Sequence, residues 1–236
     1  GYDFLHLYRE YGATIQLCAV DQFGNCSSGM RLIRQLEGAR ADVFGMPLVI
    51  NKSTGRKFGK SEAGADWLEP KYTSIYQFYQ FCLNVDDAGV IDYLKIYTFL
   101  DKSEIEAIAE QQAENPGARI AQKRLAEEVT TIVHGRDAML SAQKVTDVLF
   151  SGAKVADLSD TEKTYLENEI PTVKISTDET VSDILIQANI AKRRGEARRL
   201  IQQNAISIDG ETTHEDGVSN KVCLIKKGKN QFVFVK

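Results

Sequence analysis

Two lysines around a glycine, a carboxylate beside an amide, and clustered arginines are the side chains in this sequence with the means to do chemistry. Lys57-Phe58-Gly59-Lys60-Ser61 sets two ammonium groups three residues apart. Such a loop can lay positive charge along a polyphosphate and neutralise the charge that builds as a phosphorus–oxygen bond breaks; a basic surface loop is the alternative reading of the same five residues. The G-x-x-x-x-G-K-[ST] phosphate loop occurs nowhere in the chain. Asp21-Gln22 pairs a carboxylate able to accept from a ribose hydroxyl with an amide that both donates and accepts, although Asp21 followed by Gly24-Asn25 also suits a structural turn. The third group is Lys192-Arg193-Arg194 with Arg198-Arg199. Arg194 and Arg198 share a face if the segment is helical, where guanidinium groups bind phosphates bidentately, and Lys226, Lys227 and Lys229 add charge further on. A solvated charged helix face is the alternative.

These groups need elements to hold them. Residues 13–20 form a short apolar, β-branched run that reads as a buried strand; a turn at 21–25 follows, then helical apolar spacing through Met30, Ile33 and Leu36. Residues 43–50 read as a second strand leading into the Lys57–Lys60 loop. Two strands joined through a helix suggest part of a parallel α/β sheet, whose ligands lie beyond the carboxyl ends of the strands; about 65 residues are too few for a whole one. From Ser74 the pattern turns helical. Ser103 with Glu106 reads as a capping box, and further helices are expected over 118–134 and 138–150. Residues 158–174 read as a polar linker in which 161–169 could hold a short helix. Residues 181–190 and 195–203 read as helices, 205–210 as a strand and turn, and 222–235 as a hairpin. His134 is expected to interact favourably with a helix C-terminus, the aromatic stripe Tyr76, Tyr79, Phe81 to be core, and Cys82 to be packing.

Composition sets the outer limits. Of 236 residues, 43% are hydrophobic and 26% charged, which excludes disordered and collagen-like classes. No stretch approaches the roughly 18 uninterrupted apolar residues of a membrane span, so a soluble, intracellular protein is expected. The net charge of -4 argues against polyanion binding along the whole chain. Residues 175–236 nevertheless carry ten Lys and Arg against eight Asp and Glu, while 1–174 carry nineteen against twenty-five. Cys18, Cys26, Cys82 and Cys223 are widely spaced and stand apart from His6, His134 and His214, so neither a disulfide framework nor a metal site is supported. The opening Gly1-Tyr2-Asp3-Phe4 lacks Met and runs straight into structured sequence, and an upstream segment is expected.

The order and spacing of these groups resemble the tyrosyl-tRNA synthetases of bacteria and organelles. That family carries G-G-S-D-Q-W-G-N, matched here by Cys18-Ala19-Val20-Asp21-Gln22-Phe23-Gly24-Asn25, and some thirty residues later a K-F-G-K-S loop, matched by Lys57 to Ser61. Gly1-Tyr2-Asp3 resembles the end of its Q-G-Y-D segment. Trp67-Leu68-Glu69-Pro70, Ser74 and Tyr76-Gln77-Phe78-Tyr79-Gln80-Phe81 resemble the helical region that follows, and residues 121–135 its A-x-x-x-L-A-E-x-V-T-x-x-V-H-G. Arg194-Gly195-Glu196-Ala197-Arg198-Arg199-Leu200-Ile201 and Ile206-Ser207-Ile208-Asp209-Gly210 resemble S-x-x-E-A-R-R-L-I-x-x-x-x-I-x-I-x-G of a small RNA-binding domain first defined in a ribosomal protein.

The resemblance implies the later part of a Rossmann-like class I catalytic domain over residues 1–68, an all-α anticodon-binding domain over 69–157, a linker over 158–174 and a small α+β RNA-binding domain over 175–236, giving an α/β chain overall. It implies that Asp3 accepts the hydrogen bond of the tyrosine hydroxyl, Gln22 lies near the tyrosine backbone, and Asp21 binds the adenylate ribose. Lys57 and Lys60 would stabilise pyrophosphate, with Gly59 and Ser61 completing the ATP loop. ATP with Mg²⁺ enters as substrate rather than as a tightly bound cofactor. Lys192, Arg193, Arg194, Arg198, Arg199, Lys226, Lys227 and Lys229 would meet RNA. Tyrosine, ATP and tRNA-Tyr are the implied partners, with a homodimer in the cytoplasm, or in an organellar matrix, and no membrane. Three departures stand out: Cys18 and Ala19 replace paired glycines, Val20 replaces a serine, and the H-I-G-H-type signature and the tyrosine and glutamine expected upstream are absent. Two alternatives follow: a non-enzymatic RNA-binding protein derived from a truncated synthetase, and an organellar synthetase acting in intron splicing.

Overall fold

The computed structural model describes residues 1–55, 67–175, 179–217, 222–228 and 231–236. Two compact units make up the chain, Gly1–Ala65 and Asp66–Lys236. No helix among the described residues is long and apolar enough to cross a membrane.

In the first unit, helix α1 (Tyr2–Tyr11) is closed by Gly12, whose φ of 65° is the left-handed conformation that residues with a Cβ rarely adopt. Strand β1 (Ile15–Ala19) leads through a 3-10 turn, Val20–Gln22, into helix α2 (Phe23–Glu37), and strand β2 (Asp42–Met46) returns parallel to β1, with Ile15 opposite Asp42 and Ala19 opposite Met46. This is the expected strand–helix–strand unit. Its helix starts earlier than the apolar spacing implied, because Phe23, Gly24 and Asn25 form the first turn of α2 and not a loop. The core is Phe4, Leu5, Ile33 and Ala41. β1 is not the buried strand expected: Ile15 and Leu17, with Phe44 and Met46 of β2, are exposed, because this two-stranded sheet packs its other face on α2.

The second unit opens with helices α3 (Ile75–Leu83), α4 (Val90–Tyr97), α5 (Lys102–Glu114), α6 (Ile120–His134) and α7 (Arg136–Phe150). Ser74 caps α3, accepting from the Gln77 N–H while the Gln77 side chain bonds back. The box expected at Ser103 and Glu106 instead uses Asp101 and Glu104: Asp101 accepts the Glu104 N–H at 2.9 Å, and the Ser103 hydroxyl donates to the same oxygen at 2.7 Å. Aspartate is as good a cap as serine, and it lies where the chain leaves extended backbone. Tyr79 and Cys82 pack with Phe78 on Ala126, Met139 and Ala142, Tyr76 is buried in the neighbouring cluster and Phe81 is partly buried, so Cys82 and two of the three stripe residues are core as expected.

The stretch 158–174 differs from an open linker. Ser159 caps helix α8 (Asp160–Glu169), and strand β3 (Thr172–Val173) joins the sheet that follows. Leu166 is fully buried, and nearly buried Glu162 pairs with Lys144 of α7 at 3.1 Å. Helices α9 (Val181–Gln187) and α10 (Arg194–Gln202) precede strands β4 (Ile206–Ile208), β5 (Glu211–Thr212), β6 (Cys223–Lys227) and β7 (Gln231–Val235). The sheet runs β3-β7-β6-β4-β5, with β3 parallel to β7 and the other neighbours antiparallel. Period two divides its core between the faces. Cys223, Ile225, Val233 and Val235 join Ile184, Leu185 and Ile201 of α9 and α10, whereas Leu224, Phe232 and Phe234 join Val145, Leu149 and Leu166 of α7 and α8. Both faces are therefore buried, which explains why this hairpin is almost continuously apolar.

Candidate functional site

The chain's local geometry brings Asp3 and Gln22 to one cavity of about 330 Å³ in the first unit. Asp3 stands in the first turn of α1, which Phe4 and Leu5 anchor to α2. Gln22 ends the 3-10 turn after β1, at the carboxyl end of a parallel strand, where open α/β sheets gather their ligands. Asn25, in the first turn of α2, donates from Nδ2 to Oε1 of Gln22 at 2.9 Å. That bond engages one of the two lone pairs of the Gln22 amide oxygen.

Gln16 and Asn25 also line the cavity, and neither is among the site residues expected from the sequence. Oε1 of Gln16 is buried with no hydrogen-bond partner among the described residues. A signal was available: Gln16 is a polar side chain inside an otherwise apolar strand, where burial is costly unless a partner arrives. Asp21 stands exposed in the turn beside Gln22 and is not among the residues lining the cavity. The Cys18 thiol is pushed up by burial first and by the neighbouring Cys26 thiol next, and the Asp21 carboxylate adds to both. Lys57, Gly59, Lys60 and Ser61 lie outside the described residues.

The basic cluster is partly committed to internal partners. Arg194 and Arg198 are on α10 as expected, one turn apart and about two-thirds exposed. Arg194 donates from Nε and Nη2 to Oδ1 of Asp183 at 3.0 and 2.7 Å, and Arg198 Nε donates to Oδ2 of Asp216 at 3.2 Å. Asp216 also accepts the Ser182 N–H at the start of α9, at 2.8 Å. The Thr180 hydroxyl first and Arg194 second hold Asp183 below the ordinary carboxylate range, and Asp183 in turn raises Arg194. Burial pushes Asp216 up, but the Ser182 N–H and Arg198 outweigh it. The bidentate edge of Arg194 is thus already occupied, a constraint that helical spacing alone does not reveal.

Lys192, Arg193 and Arg199 are exposed, and no ion pair among the described residues engages them. Lys227 Nζ donates to the Ile190 carbonyl at 3.3 Å, and Lys226 lies 5.2 Å from the Phe232 ring centroid. Lys229 lies outside the described residues. His134 closes α6 in its last turn as expected, its ring also meets Phe78 edge-on at 5.0 Å, and burial lowers its pKa.

Comparison with known proteins places these features in a family. Residues 1–151 match the tRNA synthetases class I (W and Y), and residues 162–235 match the tyrosine–tRNA ligase SYY-like C-terminal domain. Tyrosine–tRNA ligase 1 of Bacillus subtilis (strain 168) is 40% identical over 245 residues, covering 99% of this chain and 58% of the relative. Tyrosine–tRNA ligase of Latilactobacillus sakei subsp. sakei (strain 23K) is 41% identical over 242 residues, covering 98% and 57%. A crystal structure of a C-terminally truncated Aspergillus nidulans mitochondrial tyrosyl-tRNA synthetase superposes with a TM-score of 0.53 at 27% identity, covering 63% of this chain and 42% of that one. The chain spans 58% of the length of the first of these curated relatives. The chain belongs to the tyrosine–tRNA ligase family of class I tRNA synthetases.

Proposed function

We propose that this protein is a tyrosine–tRNA ligase, which joins tyrosine to ATP as tyrosyl-adenylate with release of pyrophosphate and then transfers the tyrosyl group to tRNA-Tyr. The observation that carries the reading is the meeting of Asp3 and Gln22 at one cavity, from two separate elements. Asp3 accepts the phenolic O–H of tyrosine, a bond that phenylalanine cannot make. Gln22, held by Asn25, meets the tyrosine backbone, and Asp21 binds the ribose. Lys57 and Lys60, with Gly59 and Ser61, stabilise the departing pyrophosphate as the tyrosine carboxylate attacks the α-phosphorus. No protein nucleophile is needed, so catalysis is positioning plus electrostatics, with Mg²⁺ accompanying ATP.

The helices α3–α7 serve as the anticodon-binding part and the sheet with α9 and α10 as the RNA-binding part, where Lys192, Arg193 and Arg199 give the phosphate contacts and Arg194, Arg198, Lys226, Lys227 and Lys229 support them. A homodimer working in the cytoplasm completes the reading. Tyrosine-dependent ATP–pyrophosphate exchange by the full-length protein, followed by charging of tRNA-Tyr, is the test. Exchange that requires tyrosine and is not supported by phenylalanine is expected; absence of exchange overturns the assignment.

A second reading, an RNA-binding protein without catalysis, is favoured by one feature: the Cys18 side chain lines the cavity at a position where the family carries glycine. Salt-dependent tRNA binding with no exchange would select it.

A further inference from the structure

The second unit holds a cavity of about 550 Å³ to which none of the residues assigned above contributes. Its walls come from α3, from the turn that precedes α6, and from α7, elements that the core of Tyr79, Cys82, Ala126 and Met139 holds together. Lys123, in the first turn of α6, is exposed, and its ammonium group has no ion pair or hydrogen bond among the described residues. Arg119 donates from Nη2 to the Leu83 carbonyl at 2.7 Å, while its Nε is buried with no partner among the described residues. Gln80 and Gln143 each commit one N–H inside the fold, to Thr146 Oγ1 at 2.7 Å and to Glu127 Oε1 at 3.0 Å. Each amide therefore keeps an acceptor and one N–H. Asp147 is the one carboxylate on the wall, and the Ser151 hydroxyl donates to it at 3.3 Å. Phe150 ends α7 with 52% of its surface exposed.

Cations, amide edges and an exposed aromatic face in one groove are the groups that hold an unpaired nucleotide. The ring stacks on a base, the amides meet the donors and acceptors of its edge, and the cations meet phosphate. A base inside a duplex offers neither face, so a paired strand gains none of the stacking. The volume lies in the range of about 300–1,000 Å³ usual for small-ligand sites. Continuity with the basic strand decides between RNA and a free small molecule. The Phe150 ring meets Phe232 of β7 edge-on at 5.4 Å, and Lys226 of β6 lies 5.2 Å from the centroid of that same Phe232 ring. An RNA strand whose phosphates pass Lys226 thus brings a neighbouring nucleotide to Phe150.

We propose that the cavity between α3, α6 and α7 binds one unpaired RNA nucleotide, with Phe150 against the base, Gln80 and Gln143 at its edge, and Lys123 beside Arg119 at a phosphate. The site rests on the reading of the second unit as RNA-binding. It is independent of the chemistry assigned to Asp3, Gln22 and Lys60.

The test uses the full-length protein and a short RNA stem–loop that carries a fluorescent adenine analogue in its loop. Fully paired RNA of the same length and adenosine monophosphate are the competitors. Stacking on Phe150 should quench the analogue, and both competitors should displace it poorly. Phe150→Leu should weaken stem–loop binding about 5- to 150-fold and abolish the quenching, and Phe150→Tyr should retain both. Lys123→Gln should flatten the slope of log K against log salt by about 0.7. Because Lys123 is exposed and outside the core, that variant decides the site even if Phe150→Leu fails to fold. Stem–loop binding that neither variant changes overturns the cavity and leaves the RNA-binding reading standing. Paired RNA that binds as tightly, with the same dependence on Phe150, overturns the unpaired nucleotide. Displacement of the stem–loop by adenosine monophosphate at equal concentration overturns RNA as the occupant. A parent protein that binds none of the RNA probes overturns the RNA-binding reading itself, and the site with it.

Discussion

Arg194 places both Nε and Nη2 on a single oxygen, Oδ1, of Asp183, at 3.0 and 2.7 Å. The edge of the guanidinium that grips a phosphate in bidentate fashion is therefore facing a carboxylate of the same domain. Arg198 makes a single bond, from Nε to Oδ2 of Asp216, at 3.2 Å. The four-residue spacing that makes the two arginines look like an RNA-binding pair also lets α9 and the 213–217 turn neutralise them. This ranks the basic residues by availability.

Arg193→Ala with Arg199→Ala should weaken tRNA binding more than Arg194→Ala with Arg198→Ala. Each lost phosphate contact lowers the slope of log K against log salt by about one. The Arg193/Arg199 variant should flatten that slope by about two, while the other pair changes it by less than about one. Binding isotherms over a range of salt concentrations decide the order; equal losses would mean that RNA displaces the carboxylates. Neither double variant should alter tyrosine–adenylate formation.

The same carboxylates make the C-terminal part acid-sensitive. The folded-state pKa values of Asp183 and Asp216 are both lowered. Their stabilisation is thus complete above the unfolded value of about 3.9 and is lost as pH falls through the lower folded values. Melting temperature should fall as pH drops below about 4, and Asp216→Asn should flatten that acid limb. A variant whose acid limb matches the parent's would show that Asp216 is not a source of the linkage.

Much of the C-terminal part is legible because its signals are local. Ile206-Ser207-Ile208-Asp209-Gly210 announces a strand and turn by alternation and glycine, and β4 is found there. What escapes the sequence depends on distance. β3 is two residues long and exists because β7, some sixty residues later, offers it a parallel edge. Cys18 of β1 and Cys26 of α2 line one cavity from a strand and a helix, so neither periodicity puts the two on a common face. Asp183 reads as an ordinary helix-start acid, and only the fold reveals that it also answers Arg194.

Leu166 provides a direct test of whether residues 158–174 are structural. It is fully buried against α7 and the sheet, in a helix where a linker is expected from polarity alone. Leu166→Ala should cost about 2–5 kcal/mol in chemical denaturation. A cost near zero would mean that α8 does not pack as described. Because α8 shares its core with Val145 and Leu149 of α7 and with Phe234 of β7, the loss should appear in the transition of the second unit.

Gly29→Ala addresses the frame around Asp3. A Cβ at Gly29 would stand 2.7 Å from Cβ of Phe4 and 3.0 Å from the carbonyl oxygen of Gly1. Alanine gains up to about 1 kcal/mol in helix propensity, but the atoms it meets are a Cβ and backbone, which cannot swing away. The overpacking cost of about 1–3 kcal/mol therefore wins. The first unit should lose stability, and tyrosine affinity should fall with it because Asp3 adjoins Phe4 on α1. Unchanged affinity in a folded variant would detach Asp3 from tyrosine binding.

Lys60 carries the remaining chemical prediction, and it separates transition-state stabilisation from ground-state binding. In the proposed reaction, tyrosine binding through Asp3 and Gln22 needs no cation, whereas the charge of departing pyrophosphate appears only as the α-phosphorus bond breaks. Removing a group that acts at that moment lowers the rate without a matching loss of affinity. Lys60→Ala in the full-length protein should reduce the rate of adenylate formation by about 10²-fold or more, the scale of one lost oxyanion donor. The tyrosine dissociation constant should shift by less than about threefold, under about 0.7 kcal/mol at room temperature. Pre-steady-state adenylate formation and equilibrium tyrosine binding measure the two quantities independently. Equal losses in both would assign Lys60 to binding, and no loss in either would leave the Lys57–Ser61 loop as a basic surface segment.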